Sequence, residues 1–379
     1  MKENLPLGYI EISKKNLIQN IKQFKKLAKK GTKFSVVIKG NAYGHGQNEV
    51  AKIVEPYVDY FQVNSVSELE LLRRISKKKT LVLGYVQKED LPRAIKHKCI
   101  LSVFSIEQLK EINIIANKFN TRQEIHLPVD AYLGREGFLR QELPEILKEI
   151  KKSKHVRLTG IYAHFANIED TPDFSHAQKQ INEYKQMVEL ISNYGFNNYI
   201  THMSATSGLL AYEKNAGIHS LVRLGIGTYG LWPSELLRNA YEKSKFKLKP
   251  VLAWKTKIAQ IKILPKGNTV GYGLTYKTKK KTKIAVIPQG YADGFDRGFS
   301  NNGHVLIDGT RCKILGRVMM NMIVVDINHL KNARPEDEVV ILGHQGNEEI
   351  TAEEMAKRIN TVNYEITTRI SSLLPRIIK

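Results

Sequence analysis

Eight short apolar segments recur through the first 240 residues, and helix-like stretches separate most of them. They are FSVVI from Phe34, YFQV from Tyr60, TLVLG from Thr80, ILSV from Ile100, EIHLPV from Glu124, RLTGIYA from Arg157, NYITH from Asn198 and SLVRLG from Ser220. Apolar runs of this length read as strands buried on both faces, a property of parallel sheets. Between them, SIEQLKEINIIANKF (Ser105 to Phe119) and HAQKQINEYKQMVELISNYG (His176 to Gly195) carry the period of amphipathic helices. An earlier segment, GYIEI (Gly8 to Ile12), precedes a helix capped by Ser13, with Leu17, Ile21, Phe24, Leu27 and Ala28 at helical spacing. Eight strand–helix repeats predict an α/β fold closed as a (β/α)8 TIM-type barrel, with a doubly wound open sheet as the alternative.

Beyond residue 240 strands punctuated by Pro and Gly replace the helical patterns: VLAWKTKIAQIKILPKG, KIAVIPQGYADG, HVLIDGTRCKILG, MIVVDI and DEVVILG. Asp308-Gly309 signals a hairpin. One short helix is expected at TAEEMAKRIN, with Thr351 as its cap and Glu354 at the capping-box position. Two domains follow: residues 1–240 as the barrel, its first strand a candidate to pack with the second domain, and residues 241–379 as a mainly β carboxyl-terminal domain.

Composition narrows the function classes. The net charge of +22 could mark a nucleic-acid binder. However, the lysines are spread over the predicted helices, and their longest runs, Lys77 to Lys79 and Lys277 to Lys283, have no interleaved aromatic residues to stack bases. Solvated helix faces are the better account, so neither nucleic acid nor membrane is expected as a partner. No apolar run reaches the roughly 20 residues of a membrane span. The start MKENLPLGYIEISKKN shows no signal-peptide pattern, and a cytoplasmic location is expected. The two cysteines, Cys99 and Cys312, form no metal-ligand pattern, and no metal is expected.

Barrel active sites lie at the carboxyl ends of the strands. In VVIKGNAYGHG (Val36 to Gly46), Lys39 sits where the first barrel strand ends, followed by a loop rich in glycine and aromatic residues. A desolvated lysine has a lowered pKa and can form a Schiff base with an aldehyde cofactor. Taken alone, the motif fits a solvated lysine beside a glycine turn better, since such turns after strands are common. Other polar residues fall at the same end: Arg135 after the fifth barrel strand, His164 after the sixth, HMSATSG (His202 to Gly208) after the seventh, and Arg223 on the eighth, before GIGTYG. The loops after strands seven and eight form the usual phosphate site of this fold. A lysine facing a phosphate site describes pyridoxal 5′-phosphate.

These motifs, with THMSATSG, VRLGIGTYGLWPS, GNTVGYGLTY, IPQGYADGFDRG and ILGRVMMNM in order, cover nearly the whole chain. The sequence resembles the alanine racemases, pyridoxal-phosphate isomerases that act as homodimers with shared active sites. The resemblance implies interconversion of L- and D-alanine, supplying D-alanine for peptidoglycan. Lys39 would carry the cofactor and act as one catalytic base; Tyr272 of the partner subunit would be the other. Tyr43, Thr206, Gly225 and Ile226 would hold the phosphate. Arg223 would hydrogen-bond the pyridine nitrogen, and His164 would link Arg223 to Tyr272. Arg135 and the backbone of Met320 would bind the substrate carboxylate.

The chain departs from this pattern at several positions. Many members have a carbon-dioxide-modified lysine bracing the arginine that matches Arg135; here that position is Pro128. A tyrosine near the carboxyl terminus is here Ser372, an aspartate after the carboxylate-binding methionine is Asn321, and an Asn-Ser pair is Ala205-Thr206. These changes make a broader racemase, acting for example on serine, the alternative. A cofactor-carrying regulatory protein, which would lack the second domain and second base, is the more distant one.

Overall fold

A computed structural model describes residues 5–212 and 220–379. The chain divides into two compact units, one of residues 17–39 and 50–249, the other of residues up to 16, 40–49 and 250–379. Strand β1 (Tyr9–Ile12) belongs to the second unit. The first unit holds β2 (Lys33–Val37), β3 (Tyr60–Val63), β4 (Thr80–Val82), β5 (Ile100–Ser102), β6 (Gln123–Pro128), β7 (Val156–Tyr162), β8 (Ile200–His202) and β9 (Leu221–Leu224). These are the eight predicted segments, paired in the order β8-β7-β6-β5-β4-β3-β2-β9. At the β8–β9 seam, the Ser220 N–H donates to the Thr201 carbonyl at 3.0 Å and the Arg223 N–H to the Ser204 carbonyl at 3.1 Å. The result is a (β/α)8 barrel. Two of its helices, Val66–Arg73 and Ile106–Lys118, start where Ser65 and Ser105 accept N–H bonds from Glu68 and Gln108.

The barrel interior is layered by chemistry. Tyr60, Leu81, Ile100 and Leu221 form one buried cluster, joined by Leu83 and Ile200. Tyr60, Leu81 and Ile100 come from the neighbouring strands β3, β4 and β5, but β2 separates Leu221 on β9 from them and β6 and β7 separate Ile200 on β8, so the cluster meets across the barrel interior. Each such side chain contributes about 1.5–3 kcal/mol by burial. Toward the carboxyl ends the interior turns polar: Ser102, His126, Tyr162, His202 and Arg223 are all buried.

In the second unit, the strands after residue 250 are β10 (Leu252–Lys257), β11 (Gln260–Leu264), β12 (Thr282–Ile287), β13 (His304–Ile307), β14 (Thr310–Lys313), β15 (Ile323–Asp326), β16 (Glu338–Gln345), β17 (Glu348–Ile350) and β18 (Arg376–Ile378). One sheet runs β14-β13-β16-β10-β1-β18, with β17 on β16; a second runs β11-β12-β15. The first strand thus lies antiparallel to β10 and parallel to β18. Asp308 and Gly309 take φ of 50° and 65° at the β13–β14 turn, the left-handed pair a tight hairpin requires. Thr351 caps the helix Ala352–Arg358 by accepting from the Glu354 N–H at 3.0 Å. The Glu354 carboxylate does not close a capping box; it pairs with Arg311 and Arg358. One helix is predicted here and two are present, the second being Asn363–Thr368, whose six residues are too few to show a period.

Candidate active site

Lys39 follows β2, where the Ile38 N–H donates to the Gln62 carbonyl at 2.9 Å. The next residues are not an open loop. Gly40, Asn41, Ala42 and Tyr43 have φ of 61°, 52°, 54° and 54°, one turn of left-handed helix. Gly44 N–H bonds the Gly40 carbonyl, Gly46 N–H the Asn41 carbonyl, and Gln47 N–H the Asn41 side chain, at 2.9–3.0 Å. Each non-glycine residue in this conformation costs roughly 1–2 kcal/mol. Such a turn survives only where its surroundings over-determine it; here Arg376 donates to the Gly44 carbonyl at 2.8 Å.

The polar layer of the barrel supports Arg223. His126 Nδ1 and His202 Nε2 share a hydrogen bond of 3.0 Å. The Tyr162 ring stacks on His202 at 5.0 Å and its hydroxyl donates to Ser102 at 3.0 Å. Gly160 makes room for the pair, since a Cβ there would lie 2.5 Å from the His126 ring. The Arg223 guanidinium lies 5.3 Å from the Tyr162 ring centroid, a cation–π contact. Its Nη2 donates to the carbonyls of Ala163 at 2.5 Å and Met203 at 3.0 Å, and to His164 Nδ1 at 3.4 Å. The Arg223 Nε is buried with no hydrogen-bond partner among the described residues. An orphaned buried donor of this kind calls for an acceptor.

Electrostatics tie four predicted residues together. Burial, then Arg135, then Arg223 lower the Lys39 pKa, while Glu136 and Glu68 oppose them. His164 is pushed down to about 3 by burial and by Arg223, Arg135 and Lys39, so its imidazole is neutral. An arginine can only donate. His164 Nδ1 is therefore the acceptor, and the proton of the neutral ring sits on Nε2. Arg135 stands on the loop after β6, bound bidentately by the neighbouring Glu136, with Nη2–Oε1 at 2.8 Å. Glu136, Tyr162 and His126 were not singled out from sequence. For His126 the signal was present, a polar side chain inside the apolar run EIHLPV.

The predicted phosphate loops also come together. Thr206, after β8, is buried, and its Oγ1 accepts N–H bonds from Gly225 at 3.2 Å and Gly227 at 3.3 Å, after β9. Ile226 begins a short 3-10 turn at the same place. The other predicted residues lie in the second unit. The Tyr43 and Tyr364 rings are 6.1 Å apart. Tyr272 is 74% exposed, between Gly271 and Gly273, which have φ of 69° and 71°. Met320 is exposed, and its carbonyl accepts from the Ala292 N–H at 2.9 Å.

The residues of the barrel mouth fit pyridoxal 5′-phosphate: a lysine with a lowered pKa, a hydroxyl between two loop turns, and a buried guanidinium N–H without an acceptor. Two domain families match the chain, the alanine racemase N-terminal domain over residues 12–233 and the alanine racemase C-terminal domain over residues 251–378. The chain belongs to the alanine racemase family. An alanine racemase of Leptospira interrogans is 35% identical, over 98% of this chain and 95% of its own length. The alanine racemase structure of Clostridium difficile 630 superposes with a TM-score of 0.92 at 33% identity, covering 100% of this chain and 97% of that one. The alanine racemase of Bacillus anthracis, solved with bound L-Ala-P, gives 0.92 at 32% identity, over 99% of this chain and 95% of its own. As a member of this family the chain is an isomerase. Among the described residues no helix is long and apolar enough to cross a membrane.

Proposed function

We propose that this chain interconverts L- and D-alanine with pyridoxal 5′-phosphate held at Lys39, as a cytoplasmic homodimer supplying D-alanine for peptidoglycan. The observation that carries the reading is the Arg223 guanidinium. It is buried, fixed by two carbonyls and His164, and left with an Nε that has no partner among the described residues, and it helps lower the pKa of Lys39. Lys39 would hold the cofactor aldehyde and Arg223 Nε its ring nitrogen, while Thr206, Tyr43, Gly225 and Ile226 would hold its phosphate. Bound there, the cofactor would supply an electron sink for the charge left on the α-carbon.

Racemisation removes a proton from one face of the α-carbon and returns one to the other, so two bases must flank it. Lys39 suits one role, because a lowered pKa leaves more neutral amine at working pH. Tyr272 would be the other, from a second copy of the chain; its exposure on the single chain supports that assignment. The His164 Nε2–H, fixed in place by Arg223 on Nδ1, is the donor that would stabilise a phenolate at Tyr272. Arg135 and the Met320 backbone would hold the substrate carboxylate.

Purified protein loaded with pyridoxal 5′-phosphate, incubated with L-alanine in deuterium oxide, should form D-alanine with deuterium at the α-carbon. Formation of neither, with cofactor shown to be bound, would overturn the reading. Tyr272→Phe should block proton removal from L-alanine. Lys39→Ala and Tyr272→Phe chains co-folded together should regain activity. No recovery from demonstrated mixed dimers would place both bases on one chain.

A further inference from the structure

We propose that Glu136 is the positioning residue of Arg135: its carboxylate holds the Nε–Nη2 edge of the guanidinium and leaves Nη1 to take the substrate's α-carboxylate. This rests on the function proposed above. The geometry begins with the loop. Asp130 accepts the N–H groups of Leu133 at 2.7 Å and Gly134 at 3.0 Å, so its own carboxylate is spent inside the loop. The neck is closed by Asp130 N–H to the Phe138 carbonyl and Phe138 N–H to the Pro128 carbonyl, both 3.0 Å. Gly137, at φ 120°, permits this closure, since a Cβ there would lie 2.7 Å from the Asp130 nitrogen. On the outer side the Tyr132 hydroxyl donates to Glu183 at 3.3 Å, and Lys179 lies 4.2 Å from the Tyr132 ring centroid. The loop carrying Arg135 is therefore tied at both sides.

The guanidinium itself still needs a partner to fix its direction. The strand beneath ends in Pro128, which has no charge. Glu136 supplies the partner, with both oxygens on Arg135 Nε and Nη2. A bidentate pair fixes the plane of the guanidinium as well as its place. Arg135 Nη1 has no hydrogen bond among the described residues. Arg135 and Glu136 act on Lys39 in opposite directions, the arginine lowering its pKa and the carboxylate raising it.

Holoenzyme with Glu136→Gln, Glu136→Ala or Glu136→Asp separates the roles. Propionate, which has the carboxylate and methyl of alanine but no amine, serves as the binding probe by calorimetry. In E136Q and E136A the propionate Kd and the alanine KM should rise together by about tenfold, with kcat within about threefold. The cofactor absorbance should be unchanged, and E136D should restore most of the affinity. Unchanged propionate binding in E136Q would overturn the inference. So would tighter binding, which would make Glu136 a competitor for the anion. Wild-type holoenzyme that binds neither propionate nor alanine would overturn the functional reading, and this inference with it.

Discussion

In the barrel, Arg223 is buried, and its Nη2 serves two carbonyls and an imidazole. In the carboxyl-terminal unit, Tyr272 is 74% exposed between two glycines of positive φ. Both are assigned to one active site, yet their surroundings are opposite. The barrel residues have their charge state set by their own chain: burial and neighbouring cations act on Lys39 and His164 within a single copy. Tyr272 stands in solvent on the single chain. On the proposed function, one copy would hold the cofactor half of the chemistry and a second copy would supply the other base, as a shared site in a homodimer requires.

Lys39→Ala should have the greatest consequence. If the barrel half is complete in itself, this change should abolish borohydride-reducible cofactor attachment and lower kcat by about 10³-fold or more. Tyr272→Phe should leave the reducible attachment intact. Loss of attachment in both variants, read by absorbance and peptide mapping after reduction, would make the two groups one.

A second test compares stability. Arg223→Ala removes the donor from the Ala163 and Met203 carbonyls and from His164, and should destabilise the apoprotein by about 2–4 kcal/mol in urea. Tyr272→Phe, at an exposed position, should shift it by less than about 0.5 kcal/mol. Equal shifts would erase the distinction between built-in and exposed residues.

The polar interior should also be the pH-sensitive part of the barrel. Burial first, and nearby cations after it, hold His126 and His164 down to about 3, against about 6.5 unfolded. Below pH 6.5 the unfolded chain binds protons that the folded chain refuses. Stability is therefore full above that pH and falls as pH drops toward 3, by at most about 1.4 kcal/mol per pH unit for each histidine. His45, held down to about 4 in the other unit, adds to the same slope. Apoprotein urea midpoints between pH 7 and 5 should show the fall, and His126→Gln should flatten it. An unchanged slope in that variant would mean that His126 is protonated when folded.

The two groups also differed in how well they could be read from sequence. Eight strands announced themselves because each is a buried apolar run, and the barrel then fixed which end to search; Lys39, Arg135, His164 and Arg223 follow from that alone. Tyr272 and Met320 came only through resemblance, since an exposed side chain on an irregular loop carries no periodicity. The left-handed turn after Lys39 was hidden for another reason. Its glycines permit positive φ, but nothing local demands it of Asn41, Ala42 and Tyr43. Glu136 was missed because an Arg-Glu dipeptide gives no sign of pairing until the loop is closed around it.

The smallest expected effect concerns Ser372, which lies in the same unit as Tyr272 and is likewise exposed, beside Leu373 at 91%. If this surface meets a second copy, Ser372 should influence which side chain the shared site accepts and leave folding alone. A serine in place of the bulky tyrosine that many relatives carry leaves room and a hydroxyl for a larger or hydroxylated substrate. One such group changes discrimination by about 1–3 kcal/mol at most. Alanine should thus remain the better substrate, with serine closer behind it than in a Ser372→Tyr variant. The measurement is the kcat/KM ratio for L-alanine over L-serine in both proteins, with urea midpoints alongside. A ratio that rises in the mutant at constant stability would place Ser372 with Tyr272 among residues that act across copies. A ratio that stays put while stability changes would place it with the barrel residues instead, as part of what its own chain needs to fold.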